Sequence, residues 1–386
     1  MSSKAFDYII IGAGASGLQL ALAMSRDAYF DDKRIGVIEK EAVKSNDKTW
    51  SFWEEGKGYY DGIVYHTWKK GNFKSLGKTI NFDLKSYRYK MLKSIDFYNY
   101  AYSELDTSEN INLISDSVNL IEERGDSLKV VGDKNEYQAS HVFDSRLPED
   151  FSPENSINIL QHFKGWFIEA ENEAFDPERF CMMDYNHTKT PETAFMYILP
   201  FSKTRALVEY TYFTPDLVED EVYEKELKSY LKNVLNASSY KIEEVEKGVI
   251  PMTTYPFHSN SSSNITKIGT SGGWVKPSTG YSFKNAERLS KKIVENIKAN
   301  QNPAHQLFRN RYKHYDKMFL YVLSQHNDYG KTLFYNMYSR NSIRDIFRFL
   351  DEKSSFGKEL QIMATMTSYY FIKAFFQHAF DGFRLR

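Results

Sequence analysis

Three glycines near the N-terminus have the spacing of a phosphate-binding turn. Gly12, Gly14 and Gly17 follow the apolar run 6–11 and precede the mostly apolar run 18–24. In a strand–turn–helix unit, the first glycine of a G-x-G-x-x-G motif permits the tight turn, the second lets the backbone approach a pyrophosphate, and the third lets the helix pack closely on the sheet. The helix N-terminus adds N–H groups and a partial positive charge. The pattern predicts a dinucleotide site.

The elements that must position this turn are two strands and a helix. We expect strands over 6–11 and 34–38, the second ending at Glu39, and a helix over 18–24. Glu39 stands about 20 residues beyond the glycines, where a carboxylate accepts the hydroxyls of a ribose. The alternative is a signal anchor over 8–24, but that stretch is shorter than the ~20 apolar residues of a membrane span and includes all three glycines.

Glu209 is a candidate acid in a predicted strand over 205–211. It follows Ala206, Leu207 and Val208, and Leu207 would share its face of the sheet. A carboxylic acid whose pKa is raised by an apolar wall keeps its proton near neutral pH and can donate it. The alternative is a glutamate that faces solvent, and the local sequence leaves both interpretations open.

Aromatic residues make up 16% of the chain, and several follow the predicted nucleotide strand directly. Aromatic rings line apolar pockets and stabilise cations over their faces. Packing in the core is the alternative, and a coding bias toward Phe, Tyr, Lys, Asn and Ile explains part of the content. The candidate substrate-binding residues are Trp50, Phe52, Trp53 and Trp274. Glu54 is a possible second carboxylate, for deprotonation or positioning, or else a polar scaffold residue.

A second glycine-containing loop, over 272–282, follows a short predicted strand over 265–270 and leads into a predicted helix over 283–299. In many flavoproteins such a unit forms a second cofactor contact, because the backbone near the helix start approaches the flavin ring and ribityl chain. An ordinary turn is the alternative. The candidate cofactor-binding residues here are Gly269, Pro277, Thr279, Gly280 and Tyr281.

The order of these elements predicts an α/β chain, and 386 residues suit two or three domains. Residues 1–150 and 264–300 are expected to form a discontinuous Rossmann-type dinucleotide-binding domain. Within it we expect a helix from a cap at Ser94 to about Leu105, and strands over 112–120 and 128–137 around a turn at 124–126. Residues 151–263 alternate like an antiparallel sheet and are the expected substrate domain. Residues 301–386 carry apolar side chains at helical spacing. The helices expected there cover 317–323, 332–338, 343–350 and 362–380.

Composition excludes several classes of function. The net charge is −1 and no basic stripe is present, so nucleic acid is not an expected partner. No metal-ligand spacing is found, and the single cysteine, Cys181, excludes an internal disulfide and indicates a reducing compartment. Without a run of 18 apolar residues, we expect a cytoplasmic or peripheral protein. The apolar run 369–376, broken by Lys373, is core, a pocket lid or a membrane-surface contact.

Several segments together resemble the bacterial lycopene β-cyclases. The specific segments are 277–282, which is Pro-Ser-Thr-Gly-Tyr-Ser, and 207–211, which is Leu-Val-Glu-Tyr-Thr. The chain departs from the family at Tyr210, where most members carry a second acid after the catalytic glutamate. The supporting segments are the N-terminal glycine motif and residues 49–54, 143–146, 165–166, 175–177, 183–184, 197–201 and 248–251.

The resemblance implies a fold, a cofactor and a reaction. It implies a glutathione-reductase-like domain that binds FAD in its reduced form, with NAD(P)H as the reductant. It assigns Glu209 as the acid that starts a non-redox cyclisation of the ψ-ends of lycopene, or of a related carotene, to the β-ionone rings of γ-carotene and β-carotene. An electron-rich flavin would stabilise the cationic transition state. Because lycopene lives in the bilayer, the resemblance also implies peripheral attachment to a lipid surface.

Two other classes of function stay open at this stage. A redox flavoprotein, such as a hydroxylase or an isoprenoid reductase, usually carries a Gly-Asp pair where this chain has Gly269 and Thr270. A non-enzymatic isoprenoid carrier would use the same fold without an acid in its pocket. The sequence also leaves open the deprotonating base, the number of ends cyclised and the oligomeric state.

Overall fold

The computed structural model describes residues 4–41, 43–125, 127–148 and 156–378. Contacts between Cα atoms divide the chain into two units, each made of three segments. The first unit comprises Met1–Trp50, Leu92–Asn155 and Tyr255–Arg309, and the second comprises Ser51–Met91, Ser156–Thr254 and Asn310–Arg386. This division differs from the expected boundaries mainly at residues 51–91, which were expected with the dinucleotide-binding domain.

The elements are numbered in chain order. The strands are β1 (Lys4–Ile11), β2 (Ile35–Glu39), β3 (Thr49–Glu55), β4 (His66–Trp68), β5 (Lys70–Ser75), β6 (Lys78–Asp83), β7 (Tyr87–Lys93), β8 (Ile111–Ser115), β9 (Val118–Arg124), β10 (Ser127–Gly132), β11 (Glu136–Asp144), β12 (Asn158–Ala170), β13 (Arg179–Asp184), β14 (Ala194–Pro200), β15 (Arg205–Thr214), β16 (Tyr240–Thr253) and β17 (Ile265–Lys267). The helices are α1 (Ala15–Ser25), α2 (Ser94–Asp106), α3 (Asp220–Asn233), α4 (Phe283–Lys298), α5 (Asn310–Gln325), α6 (Gly330–Arg340), α7 (Ile343–Leu350), α8 (Phe356–Met366) and α9 (Tyr369–His378).

The first unit is built on a largely parallel sheet. Its strand order is β8-β2-β1-β11-β10-β9, and β17 also pairs with β11. The pairs among β8, β2, β1, β11 and β17 are parallel, whereas β10 is antiparallel to β9 and β11. Ile9, Ile10 and Ile11 are all buried, as in a strand covered on both faces. With α1 packed between α2 and α4, this is the predicted Rossmann-type arrangement.

Two predicted elements of the first unit differ from the structure. The strand expected over 112–120 is two strands, because the chain turns at Asp116, whose buried carboxylate accepts hydrogen bonds from the hydroxyl of Tyr137 and the N–H of Ser117. Ser94 does not cap α2 but is its first residue, and its hydroxyl accepts the N–H of Lys48 at 3.1 Å. The turn expected at 124–126 joins β9 to β10, but Asp126 lies outside the described residues.

The second unit is built on a mostly antiparallel sheet with the order β16-β12-β15-β14-β13-β5-β6. The pair β13–β5 is parallel, and this pairing joins residues 70–75 to the second unit. A small sheet, β3-β7-β4, contains three further strands from this part of the chain. Helix α3 packs on one face of the large sheet, where Trp166, Val208 and Tyr210 form a core with Tyr223 and Leu227. The predicted antiparallel sheet is therefore present.

The C-terminal region is helical, as expected, but the helix expected over 362–380 is two helices. Helix α8 ends at Met366, and the next residue, Thr367, has an extended ψ of 128°, so the chain changes direction before α9. The side chains from residue 374 onward, within the apolar run 369–376, lie outside the described part of the chain. None of the helices described combines the length and apolar character that crossing a membrane requires.

Candidate active site

The glycine turn between β1 and α1 has the geometry of a phosphate cradle. Gly12 has a φ of +94°, and a Cβ there would lie 2.1 Å from Oγ of Ser145. A Cβ on Gly17 would lie 1.9 Å from the carbonyl oxygen of Gly12. Around the Cβ position of Gly14, the N-cap of α1, no described atom beyond its chain neighbours lies within 4 Å. Packing therefore requires the outer two glycines, and Gly14 leaves space at the helix N-terminus that fits a pyrophosphate.

Glu39 lies beside this turn at the end of β2. Its carboxylate accepts the N–H of Ala13 at 2.7 Å and the N–H of Glu41 at 3.0 Å, and it pairs with the ammonium of Lys44 at 2.9 Å. Burial alone would raise the pKa of Glu39, but these N–H groups and the lysine outweigh it and hold the pKa below its usual value. The carboxylate is therefore ionised and suited to accept the hydroxyls of a ribose.

The second predicted cofactor loop also lies in the first unit. Gly269 begins a 3-10 turn with a φ of +64°, and a Cβ there would lie 3.2 Å from Oγ of Ser16 in α1. Further on, the N–H of Gly280 donates to the carbonyl of Lys276, whose own N–H donates to the carbonyl of Tyr281. The structure thus brings Gly269 to the start of α1 and places a closed turn just before α4. Pro277 and Thr279 lie in that turn.

Trp50 and Trp274 are packed inside the first unit. The ring of Trp50 stacks on Phe283 with centroids 5.0 Å apart and meets the edge of Phe97 at 5.6 Å. Trp274 is fully buried, and its indole N–H has no acceptor among the described residues. A buried donor without an acceptor is costly, so this N–H is suited to a polar atom of a bound group. Their role as substrate-binding residues stays a prediction.

Phe52 and Trp53 lie in the second unit and are buried. Trp53 stacks on Phe347 of α7 with centroids 4.5 Å apart and an interplanar angle of 5°. Its indole N–H donates to the carboxylate of Asp351 at 2.8 Å. These contacts anchor α7 to β3 and are what core packing would produce, so a substrate contact at Trp53 stays a prediction.

Glu54 forms an ion pair with a buried lysine. Its carboxylate lies 2.7 Å from the ammonium of Lys90, which also binds Asp61. The Lys90 side chain is only 4% exposed, so these carboxylates take the place of water around its ammonium. A Cβ on Gly58 would lie 2.0 Å from the same carboxylate. This enclosure favours the scaffolding interpretation of Glu54 over a role as a base.

Glu209 lies in the middle of β15, between Gly165 of β12 and Tyr197 of β14. Its side chain is buried, and the hydroxyl of Thr211 donates to Oε1 at 2.6 Å. Burial, together with the charge of Glu246, raises the pKa of Glu209 to about 8, against the opposing effect of the Thr211 hydrogen bond. The carboxyl therefore keeps its proton at neutral pH, as an acid catalyst must.

The two faces of the sheet around Glu209 differ in character. Tyr210, Lys164 and Lys247 form one cross-strand row. Both lysines of that row bind carboxylates at the start of α3, so the row faces the helix. Because side chains alternate along a strand, Glu209 faces away from α3. The position after the acid, where most members of the resembled family carry a second acid, therefore points into the α3 core and not to the face of Glu209.

Glu246 is a candidate site residue that sequence reasoning missed. It is half-buried on β16, directly opposite Gly165 of β12, which is in turn opposite Glu209. The row Glu209–Gly165–Glu246 therefore shares one face of the sheet. The available signals were the alternation of residues along 241–247 and a glycine in the interior of a predicted strand, which often marks a close approach.

Comparisons with known proteins identify the family to which the chain is similar. The family model described as "Lycopene cyclase protein" matches residues 7–377. The neoxanthin synthase of Solanum lycopersicum is 26% identical over 326 residues, which cover 76% of this chain and 60% of that protein. The capsanthin/capsorubin synthase of Capsicum annuum is 23% identical over 335 residues, with the same shares covered. The chain thus spans about 60% of the length of the curated relatives it matches.

Solved structures show the same fold at low sequence identity. A geranylgeranyl bacteriochlorophyll reductase-like protein of Thermoplasma acidophilum is similar with a TM-score of 0.62 and 10% identity, over 98% of this chain and 99% of that one. A variant of HpxO from Klebsiella pneumoniae, solved in complex with FAD, is similar with a TM-score of 0.60 and 13% identity, over 90% and 98%. The fold is that of FAD-binding flavoproteins.

Proposed function

This chain belongs to the lycopene cyclase family, and from that premise we propose that it closes the ψ-ends of lycopene, or of a related carotene, to β-ionone rings. The proposed reaction is started by an acid and involves no net oxidation. A proton is added to the terminal double bond, the internal double bond closes on the resulting cation, and a ring proton leaves. Atoms and electrons balance, since one proton enters and one proton leaves.

The single observation that carries this proposal is the buried carboxyl of Glu209, which accepts a hydrogen bond from Thr211. A hydrocarbon polyene offers only its double bonds for reaction, so the cyclisation starts when an acid kept away from water protonates one of them. Thr211 donates to Oε1, which leaves the acidic proton of Glu209 on Oε2. The neighbouring Leu207 is also buried and lies on the same face, so the acid stands in the apolar surroundings that this chemistry needs.

FAD is the proposed cofactor, and the first unit has the features to hold it. The space at Gly14 suits the pyrophosphate, the ionised Glu39 suits a ribose, and the turn at 277–281 before α4 is proposed as a second contact. Bound in its reduced form, with NAD(P)H as reductant, FAD would supply an electron-rich ring that stabilises positive charge. Proteins of similar fold bind FAD, which supports the assignment.

A lipid surface is the proposed source of the substrate, with the chain attached peripherally from the cytoplasmic side. Phe356 and Leu360 lie one turn apart on α8 and are 59% and 48% exposed, and Tyr369 of α9 is 73% exposed. Such apolar side chains suit insertion into the headgroup region. In liposome flotation, Phe356→Ser/Leu360→Ser should float less than the parent chain. Leu217→Ser, at an exposed leucine elsewhere, should not. Equal flotation of all three would remove this assignment.

The proposal is tested by expressing the chain in cells that make lycopene and by measuring NADPH use with the purified protein. We expect β-ring products with no stoichiometric loss of NADPH. Consumption of one NADPH per product would indicate a reductase or hydroxylase. Carotenoid bound and released unchanged would indicate a carrier. Either result would contradict the proposed cyclisation.

A further inference from the structure

Glu246 and Glu209 lie in one cross-strand row of the second unit. Gly165 of β12 is directly opposite Glu209 of β15 on one side and Glu246 of β16 on the other. Residues that are directly paired point their side chains to the same face of a sheet. Because neighbouring strands lie about 5 Å apart, the two Cα atoms are separated by about 10 Å. Two glutamate side chains can reach toward each other over that distance.

The residue between the two acids has no side chain. A Cβ on Gly165 would lie 3.0 Å from Cδ1 of Leu207 and 3.4 Å from Cβ of Glu209. Any larger residue would therefore push against Leu207 and stand between the carboxyls. The side chain of Leu207 therefore lies against Gly165, so an apolar group borders the row between the two acids. Apolar surroundings of this kind are compatible with a hydrocarbon substrate.

The two carboxyls differ in environment. Glu209 is buried, whereas Glu246 is half-buried on an edge strand. The charge of Glu246 is one of the causes that raise the pKa of Glu209, so the two groups sense each other. Two carboxyls in different surroundings can divide the roles of acid and base between them. Such a pair can give a proton at one carbon and take a proton from another.

We propose that Glu246 is the proton acceptor of the cyclisation, an inference that rests on the proposed function. The neutral carboxyl of Glu209 gives its proton to the terminal double bond of the substrate. After ring closure, a ring C–H bond breaks, its electron pair forms the ring double bond, and the proton goes to the carboxylate of Glu246. Transfer of that proton to the Glu209 carboxylate, past Gly165, restores both groups without a co-reactant.

Other polar side chains near Glu209 are less suited to this step. The hydroxyl of Tyr197, its neighbour on β14, shares a 2.7 Å hydrogen bond with the hydroxyl of Tyr89. Thr211 already donates to Glu209. Glu54, the second carboxylate named from the sequence, lies in the other sheet of the unit, β3-β7-β4, and binds the ammonium of Lys90.

The test compares Glu246→Gln and Glu246→Asp with the parent chain, using reduced, FAD-loaded protein and lycopene in liposomes. Glu243→Gln is the matched control, because it removes an acid from the same strand, where Glu243 pairs with Arg205 at an exposed position. The readouts are the rate and the ring type, because the ring cation forms a β, ε or γ ring according to which carbon loses its proton. FAD content and thermal unfolding report whether each variant is folded.

We expect the rate of Glu246→Gln to fall about 100-fold, the usual lower range for loss of a general base. We also expect a smaller fraction of β rings, with β rings retained by Glu246→Asp and Glu243→Gln. Two results would overturn the inference: an unchanged rate and ring type in Glu246→Gln, or a slower variant that still makes only β rings. Both are distinct from failure of the proposed function, in which the parent chain itself would form no ring.

Discussion

Glu209→Gln should change the way in which stability depends on pH. The pKa of Glu209 is about 8 in the folded chain and 4.5 in the unfolded chain. Between these values the unfolded state loses the proton that the folded state keeps, so unfolding becomes more favourable as the pH rises. The contribution of the neutral Glu209 carboxyl to the free energy of unfolding is complete below pH 4.5 and is lost by about pH 8. Glutamine has nearly the same shape and does not ionise. Residue 209 therefore does not lower the stability of the variant as the pH rises from 4.5 to 8.

The magnitude follows from the width of this window. Each pH unit inside it changes the free energy of unfolding by about 1.4 kcal/mol. Between pH 5.5 and pH 7.5 the variant should therefore gain about 3 kcal/mol relative to the parent chain. With an unfolding entropy of about 2 cal/mol/K per residue over 386 residues, that gain corresponds to a rise of about 4 °C in the Tm difference.

The assay is thermal unfolding of both proteins at a series of pH values, followed by tryptophan fluorescence. Glu243→Gln is the control, since it removes a partly exposed carboxylate from an ion pair and should follow the pH dependence of the parent chain. If the Tm difference between Glu209→Gln and the parent stayed constant from pH 5.5 to pH 7.5, Glu209 would be ionised when folded. The argument for an acid at this position would then fail.

Three other predictions concern residues around the two predicted sites. Gly17→Ala should lower both the FAD content and the Tm, because its Cβ would lie 1.9 Å from a backbone oxygen. Gly14→Ala should lower only the FAD content, which is measured by absorbance. Lys90→Met should lower the free energy of unfolding by about 3–5 kcal/mol, because it leaves the carboxylate of Glu54 without its ammonium. Adding Glu54→Gln should restore part of this loss. An unchanged Tm in thermal unfolding of Lys90→Met would refute the prediction. Tyr210→Glu should lower the Tm without speeding ring formation, because it places a charge in the core beneath α3. A stable variant that forms rings faster would contradict the assignment of Tyr210 to the face of the sheet that packs on α3.

The elements that depend on residues close together in the chain could be predicted from the sequence. The strand–glycine–helix start and Glu39 follow from spacing along some thirty residues, and the structure brings them together as expected. The strand that carries Glu209 was also predicted, since apolar residues before the acid favour a buried strand. The sequence indicated only that Glu209 and Leu207 share one face of the sheet. The register with β12 was needed to identify which residues of the neighbouring strand lie on that face.

Long-range pairing accounts for what the sequence could not predict. Glu246 reaches the row of Glu209 only through Gly165, which is about eighty residues away in the chain, and no local pattern encodes that register. Residues 51–91 belong to the second unit because β5 pairs with β13, more than a hundred residues on. Trp53 could have lined a pocket or packed in the core, and only the position of Phe347 shows its stacking partner. At Thr367 a helical pattern continues through a break that backbone geometry alone reveals.

The most direct measurement of the central claim is ring formation by Glu209→Gln, compared with Glu209→Asp and the parent chain, with bound FAD and bound lycopene quantified in the same samples. The account predicts that Glu209→Gln keeps both bound molecules and forms no rings, while Glu209→Asp retains partial activity. Ring formation by Glu209→Gln at the parental rate would show that the proton comes from another group, and the proposed acid would be wrong.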